Sequence, residues 1–483
     1  MKIEIAQRAS FPMVSKRIVA IQEMFGIGSS PQKVEIVKGL DLVIGKGEIA
    51  FVTGPSGCGK SSILRFIKRN VEGALDISET IFDKGSSLID SLDCSFQRAL
   101  EILSLVGLGE AFLMLRCFDE LSEGQKSRFR LAYALSKEPS LLIADEFCST
   151  LDRLTAKVVS YNLRRVVNKT KKSAVVATAN DDILSDLHPD LLVYPKGGGE
   201  WIVERKEKKP GKLISFYSRL RVREGRLSDW KRFAHFHYKS HSTGIVDKIF
   251  ILTLDGEPIG VVVYAYPMGD LKLRNIVTGG RYSGSGLTRG VRKHLLNDEV
   301  RVVQRIVIDP RFRGLGLASA LLRSTMPLLS VRLIECLAVM GGYSKFLEKA
   351  GFVCVGRVSL PKEGRLLLGE LNALGYGAER LHDEEALCEI LEEKSAESAV
   401  FEELLRRWLK VRLCNRRKGS DKKANAREMN FRKAAHLLCR ELLSRPFYFI
   451  CDVRESCKEV LDDSGRTPVI PFEGEPLEPE QNG

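Results

Sequence analysis

One octet restricts this chain more than any other feature: Gly54-Pro55-Ser56-Gly57-Cys58-Gly59-Lys60-Ser61, which satisfies the pattern GxxxxGK[ST]. It follows a strand-like run at residues 48–53 and precedes a helical run at 62–67. Glycines in such a turn let consecutive backbone N–H groups point inward around phosphate oxygens, and the N-terminus of the next helix adds positive potential. Lys60 is then placed for β- and γ-phosphates, Ser61 for a Mg²⁺ ion, and the amides through Ser62 for the remaining oxygens. A glycine-rich turn carrying a lysine by chance would not also have a strand before it and a helix after it.

Short apolar runs alternate with longer helical patterns from residue 34 to about residue 194, the pattern of a parallel sheet covered by helices. One of these runs, at 140–144, ends in Asp145-Glu146. A carboxylate at the tip of a buried strand suits Mg²⁺, and the next one can polarise a water aimed at a γ-phosphate. Asp145 is therefore assigned to the metal and Glu146 to the catalytic base.

Between the two motifs stands Leu121-Ser122-Glu123-Gly124-Gln125, followed by a helical pattern at 126–135. These residues resemble the LSGGQ signature of ABC ATPases, with Glu123 in place of the first glycine, and Ser149-Thr150-Leu151-Asp152 resembles their D-loop. The resemblance implies that Ser122, Gly124 and Gln125 of one subunit close on ATP held by another. With no internal repeat there is one cassette per chain, so the implied assembly is a homodimer with two ATP molecules sandwiched at its interface. The resemblance also makes Phe25 the adenine-stacking aromatic, a core phenylalanine being the alternative. Two departures stand out. Where the family has Thr-His, this chain reads Thr178-Ala179-Asn180-Asp181, which leaves no histidine for the γ-phosphate and argues against rapid hydrolysis. The nearest glutamine between the two motifs, Gln97, lies in a helical pattern.

A second glycine-rich turn follows the strand-like residues 302–308: Asp309-Pro310-Arg311-Phe312-Arg313-Gly314-Leu315-Gly316-Leu317-Ala318, leading into a helical run. Backbone amides and Arg313 at a helix N-terminus can hold a pyrophosphate, a plain turn being the alternative. The segment resembles the R/Q-x-x-G-x-G/A coenzyme motif of GNAT acetyltransferases, and residues 343–352 resemble their closing helix and turn; the similarity covers about residues 231–358. It implies acetyl-coenzyme A, bound through Arg311, Arg313, Gly314, Leu315, Gly316, Leu317 and Ala318. The family's frequent tyrosine position is Leu347; Tyr343 is predicted one helical turn earlier on the same face, placed to protonate a leaving thiolate. Glu335, Asp309 and His237 are the candidate bases, with packing inside an aromatic cluster the alternative for His237.

At 483 residues the chain is too long for one core. The expected fold is α/β: an ABC ATPase nucleotide-binding domain at 1–209, a GNAT-like α+β domain at 210–375, a basic helical region at 376–470 and a disordered tail at 471–483. No stretch reaches the ~18 apolar residues of a membrane span, and no signal-peptide pattern opens the chain, so a cytoplasmic protein is expected. Eleven cysteines without a CxxC pair read as buried reduced thiols.

The net charge of +13, from 75 Lys+Arg against 62 Asp+Glu, fits a polyanionic partner. Lys239, Lys248, Lys272, Arg274, Arg281, Arg289, Arg292 and Lys293 precede the coenzyme motif, and a denser run from Arg406 to Arg427 surrounds Trp408, a mixture suited to phosphate contacts and base stacking. The layout resembles prokaryotic ABC ATPase–acetyltransferase fusion proteins. The expected activity is acyl transfer from acetyl-coenzyme A onto a nucleic acid by an ATP-dependent dimer. Alternatives are a protein or small-amine N-acetyltransferase regulated by ATP, and a non-catalytic ATP-dependent nucleic-acid clamp. A transporter ATPase is least favoured, because the second domain and basic tail offer no obvious coupling surface for a membrane partner.

Overall fold

The computed structural model describes residues 1–9, 15–26, 32–206, 213–236, 244–283, 286–360, 362–377, 381, 385, 387–389, 396–416, 445–454 and 468–473. The chain forms two compact units that do not follow its linear order. The first comprises Met1–Tyr264, Arg305–Leu329 and Asp462–Gly483; the second comprises Ala265–Gln304 and Ser330–Leu461.

The first unit is built on strands β1 (Lys2–Ala9), β2 (Gln32–Asp41), β3 (Ile49–Val52), β4 (Ala74–Asp76), β5 (Leu141–Ala144), β6 (Ser173–Ala177), β7 (Leu191–Gly197) and β8 (Glu200–Arg205). They form one sheet in the order β1-β2-β8-β7-β3-β6-β5-β4. From β7 to β4 all neighbours run parallel. Strands β3, β5 and β6 are buried at every position, which is why they read as unbroken apolar runs and not as alternating ones. Its helices are α1 (Lys16–Phe25), α2 (Lys60–Asn70), α3 (Phe96–Leu105), α4 (Ala111–Met114), α5 (Glu123–Ser136) and α6 (Arg153–Thr170), followed by shorter turns. Ile63 and Ile67 of α2 pack with Val52, Ile143 and Val175, fixing the helix against the strand that precedes it.

The same unit holds β9 (Leu220–Glu224), β10 (Val246–Leu254), β11 (Glu257–Ala265) and the end of β12 (Val300–Ile308). Asp255 and Gly256 join β10 to β11 with positive φ at both (51° and 84°), the two-residue geometry that matches strand twist in a hairpin. Residues 468–473 close on this part. The Val222 N–H donates to the Pro471 carbonyl at 3.0 Å, the Glu473 N–H to the Val222 carbonyl at 2.7 Å, and the Ile470 N–H to Ser324 Oγ at 2.8 Å. The expectation of a disordered tail from residue 471 is therefore corrected for Pro471, Phe472 and Glu473: Phe472 bridges to β9 and packs edge-on to Phe250. Ile470 is 1% exposed. Ile470→Ala should destabilise the chain by about 2–5 kcal/mol through lost apolar burial and the cavity left behind, read as a lowered denaturant midpoint.

In the second unit the start of β12 pairs in parallel with β13 (Leu333–Ala338), which pairs antiparallel with β15 (Phe447–Asp452), itself antiparallel to β14 (Val353–Arg357). A strand at 447–452 was not expected inside a basic helical region. Its apolar run Phe-Tyr-Phe-Ile-Cys becomes a strand because β13 and β14 both offer it hydrogen-bonding edges. Helices Lys362–Ala373 and Ala396–Arg416 pack through Leu367, Leu371, Phe401, Leu405 and Trp408. Trp408 is 5% exposed, so its assignment to base stacking is corrected: the indole fills a core.

Arg274 and Glu335 form a buried ion pair at 3.6 Å. The Tyr448 hydroxyl donates to Glu335 Oε2 at 2.9 Å, and both outer nitrogens of Arg274 donate to the Met268 carbonyl at 2.9 and 2.6 Å. Burial pushes the Glu335 carboxyl up, with the Arg274 charge opposing it. An acid whose folded pKa exceeds its unfolded value favours folding less once it must ionise. Its contribution is therefore complete below the ordinary glutamate range and declines as pH rises toward the folded value. Arg274→Met should cost about 3–5 kcal/mol by leaving this carboxylate unpaired, and make the decline with pH steeper. The double variant Arg274→Met/Glu335→Leu should recover part of that loss. A double variant less stable than the single one would remove this account.

Candidate nucleotide site

The strand order β3-β6-β5 brings three chain segments to one edge of the first sheet. All three strands are parallel, so the turns leaving their carboxyl ends emerge side by side: residues 53–61 after β3, 178–182 after β6 and 145–152 after β5. Open parallel sheets bind ligands at this edge.

The octet forms the turn its composition requires. Gly54, Gly57 and Gly59 have φ of 140°, 81° and 112°, in the region that favours glycine. Space excludes a side chain as well: a Cβ on Gly59 would lie 2.4 Å from Ile36 Cγ2, and one on Gly54 would lie 2.8 Å from Pro195 Cδ. Gly59 is the N-cap of α2, which has no side-chain cap and no acidic residue in its first turn, so its leading N–H groups are left for an anion. Lys60 is buried, and its Nζ donates to the carbonyls of Gly54 (2.8 Å) and Pro55 (3.0 Å), folding the ammonium over the loop. Pro55, Ser56 and Gly57 are exposed, while Cys58, Ser61 and Ser62 are half-buried around the mouth.

Asp145 is half-buried at the tip of β5 and Glu146 is exposed beside it. Glu146 has φ 48°, a left-handed conformation costly for a residue with a Cβ, and its N–H donates to Asp145 Oδ1 at 3.0 Å. The Phe147 N–H donates to the Ala177 carbonyl at 2.8 Å, locking the turn to β6. This strained position turns the Glu146 carboxylate away from the strand and into solvent at the sheet edge. Strain of this kind, held by surrounding bonds, gathers at functional sites. The fit to a triphosphate and its metal is thus met by the glycine cradle, the uncapped helix and the oxygen donors of Ser61 and Asp145.

Ser122 is the N-cap of α5. Its Oγ accepts from the Gln125 N–H (3.4 Å), and Gln125 Oε1 accepts from the Ser122 N–H (3.0 Å), a capping box. Glu123 pairs with Lys126 at 3.0 Å. Ser122 and Glu123 are exposed and Gly124 half-buried, so this helix end faces outward. Phe25 is 71% exposed at the end of α1, which buries none of its side chains; the ring is not a core residue. Gln97 is exposed near the start of α3.

Two contacts at this edge carry no local sequence signal. Thr53 Oγ1 donates to Asp181 Oδ1 at 2.6 Å, and Arg153 Nε donates to Asp182 Oδ2 at 2.7 Å. They tie the segment that lacks the histidine to the cradle on one side and to α6 on the other. Each links residues far apart in sequence, so only the folded sheet reveals them.

No protein-family model matches the chain. The aliphatic sulfonates import ATP-binding protein SsuB 1 of Paraburkholderia xenovorans is 29% identical over 195 residues, covering 36% of this chain and 57% of its own length. The methionine import ATP-binding protein MetN of Helicobacter hepaticus is 28% identical over 265 residues, with 44% and 72% covered. The taurine import ATP-binding protein TauB of Pseudomonas aeruginosa is 30% identical over 192 residues, with 34% and 72% covered. The chain belongs to the ABC ATPase family. Among solved structures, the dimeric post-hydrolysis state of the ATP-binding cassette MJ0796 bound to ADP and Pi aligns with 43% of this chain and 99% of its own length, at 18% identity and a TM-score of 0.33. The ABC ATPase cassette accounts for a third to somewhat under half of the residues; no described helix is long and apolar enough to cross a membrane.

Outside the cassette match, Gly314 and Gly316 have φ of 85° and 80°, and Gly316 is the N-cap of helix Leu317–Thr325, which also has no side-chain cap and no acidic first turn. Leu315 and Leu317 are buried, Ala318 half-buried. Arg311 is held by Asp309 at 2.9 Å, and the same carboxylate accepts from the Arg311 N–H; Asp309 thus serves as a cap. Arg313 Nε donates to the Ile308 carbonyl at 3.1 Å and its Nη1 pairs with Glu110.

The shared-face reading of Tyr343 and Leu347 is corrected. Tyr343 closes a short turn at Val339–Gly342 and is 39% exposed, whereas Leu347 lies in a separate helix, Phe346–Lys349, and is fully buried. The break falls at Ser344 and Lys345, so a helical repeat does not connect the two. Glu335 is enclosed by Arg274 and Tyr448, and His237 lies outside the described residues.

Of the basic residues in this half, Arg274 is fully buried, Lys248 pairs with Glu224 at 3.1 Å, and Arg281 Nε holds Glu299 at 2.7 Å. Arg406 pairs with Glu402 and Arg407 with Glu370; residues 417–444 lie outside the described residues.

Proposed function

We propose that this protein is an ATP-hydrolysing ABC cassette that works as a homodimer and governs acyl transfer from acetyl-coenzyme A. The observation that carries the ATPase part is the shared sheet edge, where the Lys60 cradle and the Asp145-Glu146 turn leave parallel strands separated only by β6. Ser61 and Asp145 would hold Mg²⁺, which supplies charge neutralisation for the phosphates. Glu146 orients a water toward the terminal phosphate and takes its proton. The outward-facing α5 N-terminus supports closure by a second copy: without a partner, Ser122 and Gly124 have no phosphate to contact. Glu123 places a carboxylate at that helix end, and it opposes the anion unless Lys126 keeps it neutralised.

The acyl-transfer part is supported by the uncapped turn at Gly314-Leu315-Gly316 and by its place after β12, whose start runs parallel to β13, itself antiparallel to β15. Import functions, named for the relatives, draw on a match that leaves more than half of this chain uncovered. The acceptor we favour is a nucleic acid, on the net charge of +13 alone now that Trp408 is packed in a core.

The test uses the full chain. Coenzyme A should raise its thermal midpoint, by mass action on the folded state, and incubation with acetyl-coenzyme A, ATP and Mg²⁺ should leave acetyl groups on co-purified nucleic acid, detected by mass spectrometry. Acetyl groups found only on protein would favour an ATP-regulated protein acetyltransferase; no coenzyme protection and no product would leave an ATP-dependent clamp.

A further inference from the structure

The turn read above as the acyl-donor site is fastened to the ATPase machinery within the first compact unit. Arg128 lies on α5, one helical turn beyond the signature residues, and is buried. Its Nε donates to the Gly124 carbonyl at 3.1 Å, and its Nη1 donates to the carbonyls of Gly107 (3.3 Å) and Pro310 (3.1 Å). One guanidinium therefore bridges the signature, the turn after α3 and the turn after β12. Burial, helped by the nearby Arg313 charge, pushes its pKa down to about 10; the group stays charged near neutral pH, and the three carbonyls supply hydrogen bonds that water would otherwise make.

Two further arginines complete the attachment. Arg165 on α6, the helix that Asp152 caps, donates to the Gly314 carbonyl. Arg313 pairs with Glu110, the N-cap of α4. The surfaces meet without slack: a Cβ on Gly107 would lie 2.9 Å from the Arg313 carbonyl oxygen, and one on Gly314 would lie 3.0 Å from Asn162 Nδ2. Asn162 is 1% exposed, and neither its Nδ2 nor its Oδ1 has a hydrogen-bond partner. A buried amide left unmade raises the free energy of this arrangement and favours any shift that satisfies it.

We propose that Arg128, Arg165 and the Arg313–Glu110 pair couple the two sites, so that ATP at the signature helix releases Arg313 and tightens acyl-donor binding at the Gly314–Gly316 turn. The inference rests on the acyl-donor reading of that turn. The direction follows from charge and connectivity. In the structure described, Glu110 occupies the guanidinium that a pyrophosphate would use, an autoinhibitory contact. A nucleotide drawing Gly124 toward its phosphates pulls on Arg128, whose three carbonyl ligands cannot all follow. Coupling of this kind is reciprocal: whatever factor ATP applies to coenzyme affinity, the coenzyme applies to ATP affinity.

The test uses the full-length protein, AMP-PNP with Mg²⁺ as the nucleotide, and coenzyme A as the donor probe, titrated calorimetrically in both orders. AMP-PNP should tighten coenzyme A binding by about fivefold or more, with the same factor in the reverse order. Arg165→Ala, which removes a partly exposed side chain that meets the Gly314 turn only at its carbonyl and leaves the turn's amides and Arg313 in place, should bring that factor to near one while each ligand still binds alone. Glu110→Gln should tighten coenzyme A binding without nucleotide. Hydrogen exchange at the amides of residues 309–317 provides a readout that needs no coenzyme: AMP-PNP should change their protection in the parent protein and not in Arg165→Ala. Unchanged exchange, or coenzyme affinity unchanged or weakened by AMP-PNP, overturns the coupling. Altered exchange with no coenzyme A binding under any condition sinks the acyl-donor reading instead, and the coupling as stated with it.

Discussion

Lys60→Ala should lower ATP affinity by on the order of 10- to 100-fold and remove measurable hydrolysis. A buried ammonium that donates to two loop carbonyls at 2.8 and 3.0 Å is positioned to exchange them for phosphate oxygens with little side-chain ordering. Hydrogen bonds to a charged group contribute about 1.5–3 kcal/mol each, which sets the size of the expected loss. Lys60→Arg should not restore binding, because a planar fork does not fit where a compact ammonium folds over the loop. Titration of the full chain with a fluorescent ATP analogue in Mg²⁺ checks the first claim. Retention of the parent affinity in Lys60→Ala would mean that the glycine cradle binds something other than a triphosphate. Thermal unfolding without nucleotide should shift down modestly, since Lys60 is buried and its two bonds to the loop carbonyls go with it.

Glu146→Gln gives the second large effect, and it separates binding from turnover. The amide keeps the side-chain shape and the left-handed backbone at φ 48°, but can no longer accept a proton from water. Loss of a positioned general base typically costs about 10²–10⁴ in rate. Phosphate release should fall by that order while ATP affinity holds, and the ATP-bound dimer should accumulate, seen by light scattering. The starting rate should be slow, because Ala179 follows Thr178 where the family carries Thr-His, and the neighbouring Asp181 is already engaged by Thr53 at 2.6 Å. If phosphate release is the same in both proteins, Glu146 is not the base and Asp181 becomes the next carboxylate to replace.

Much of the cassette is legible in the sequence. The octet at 54–61 dictates its own turn, since glycines at positive φ, an uncapped helix and a lysine are local properties that survive whatever surrounds them. Strands β3, β5 and β6 were readable because strands buried on both faces must be apolar throughout. The hairpin at Asp255-Gly256 was equally local, set by two residues that tolerate left-handed backbone.

What only the tertiary structure decided involves partners far apart in the chain. Trp408 reads the same in sequence whether it faces solvent or a core, and Leu367 and Leu371 decide it. Glu335 looked available as a base until Arg274 and Tyr448 enclosed it. Tyr343 and Leu347 have helical spacing, yet the helix breaks between them. The strand at 447–452 exists because two edges were open to it, and the arginine bridge from Gly124 to Pro310 joins residues that no sequence window contains. Sequence determines backbone conformation and residue chemistry over a few positions; the environment that sets whether a charge is paired, buried or free to react is assembled from distant segments only on folding.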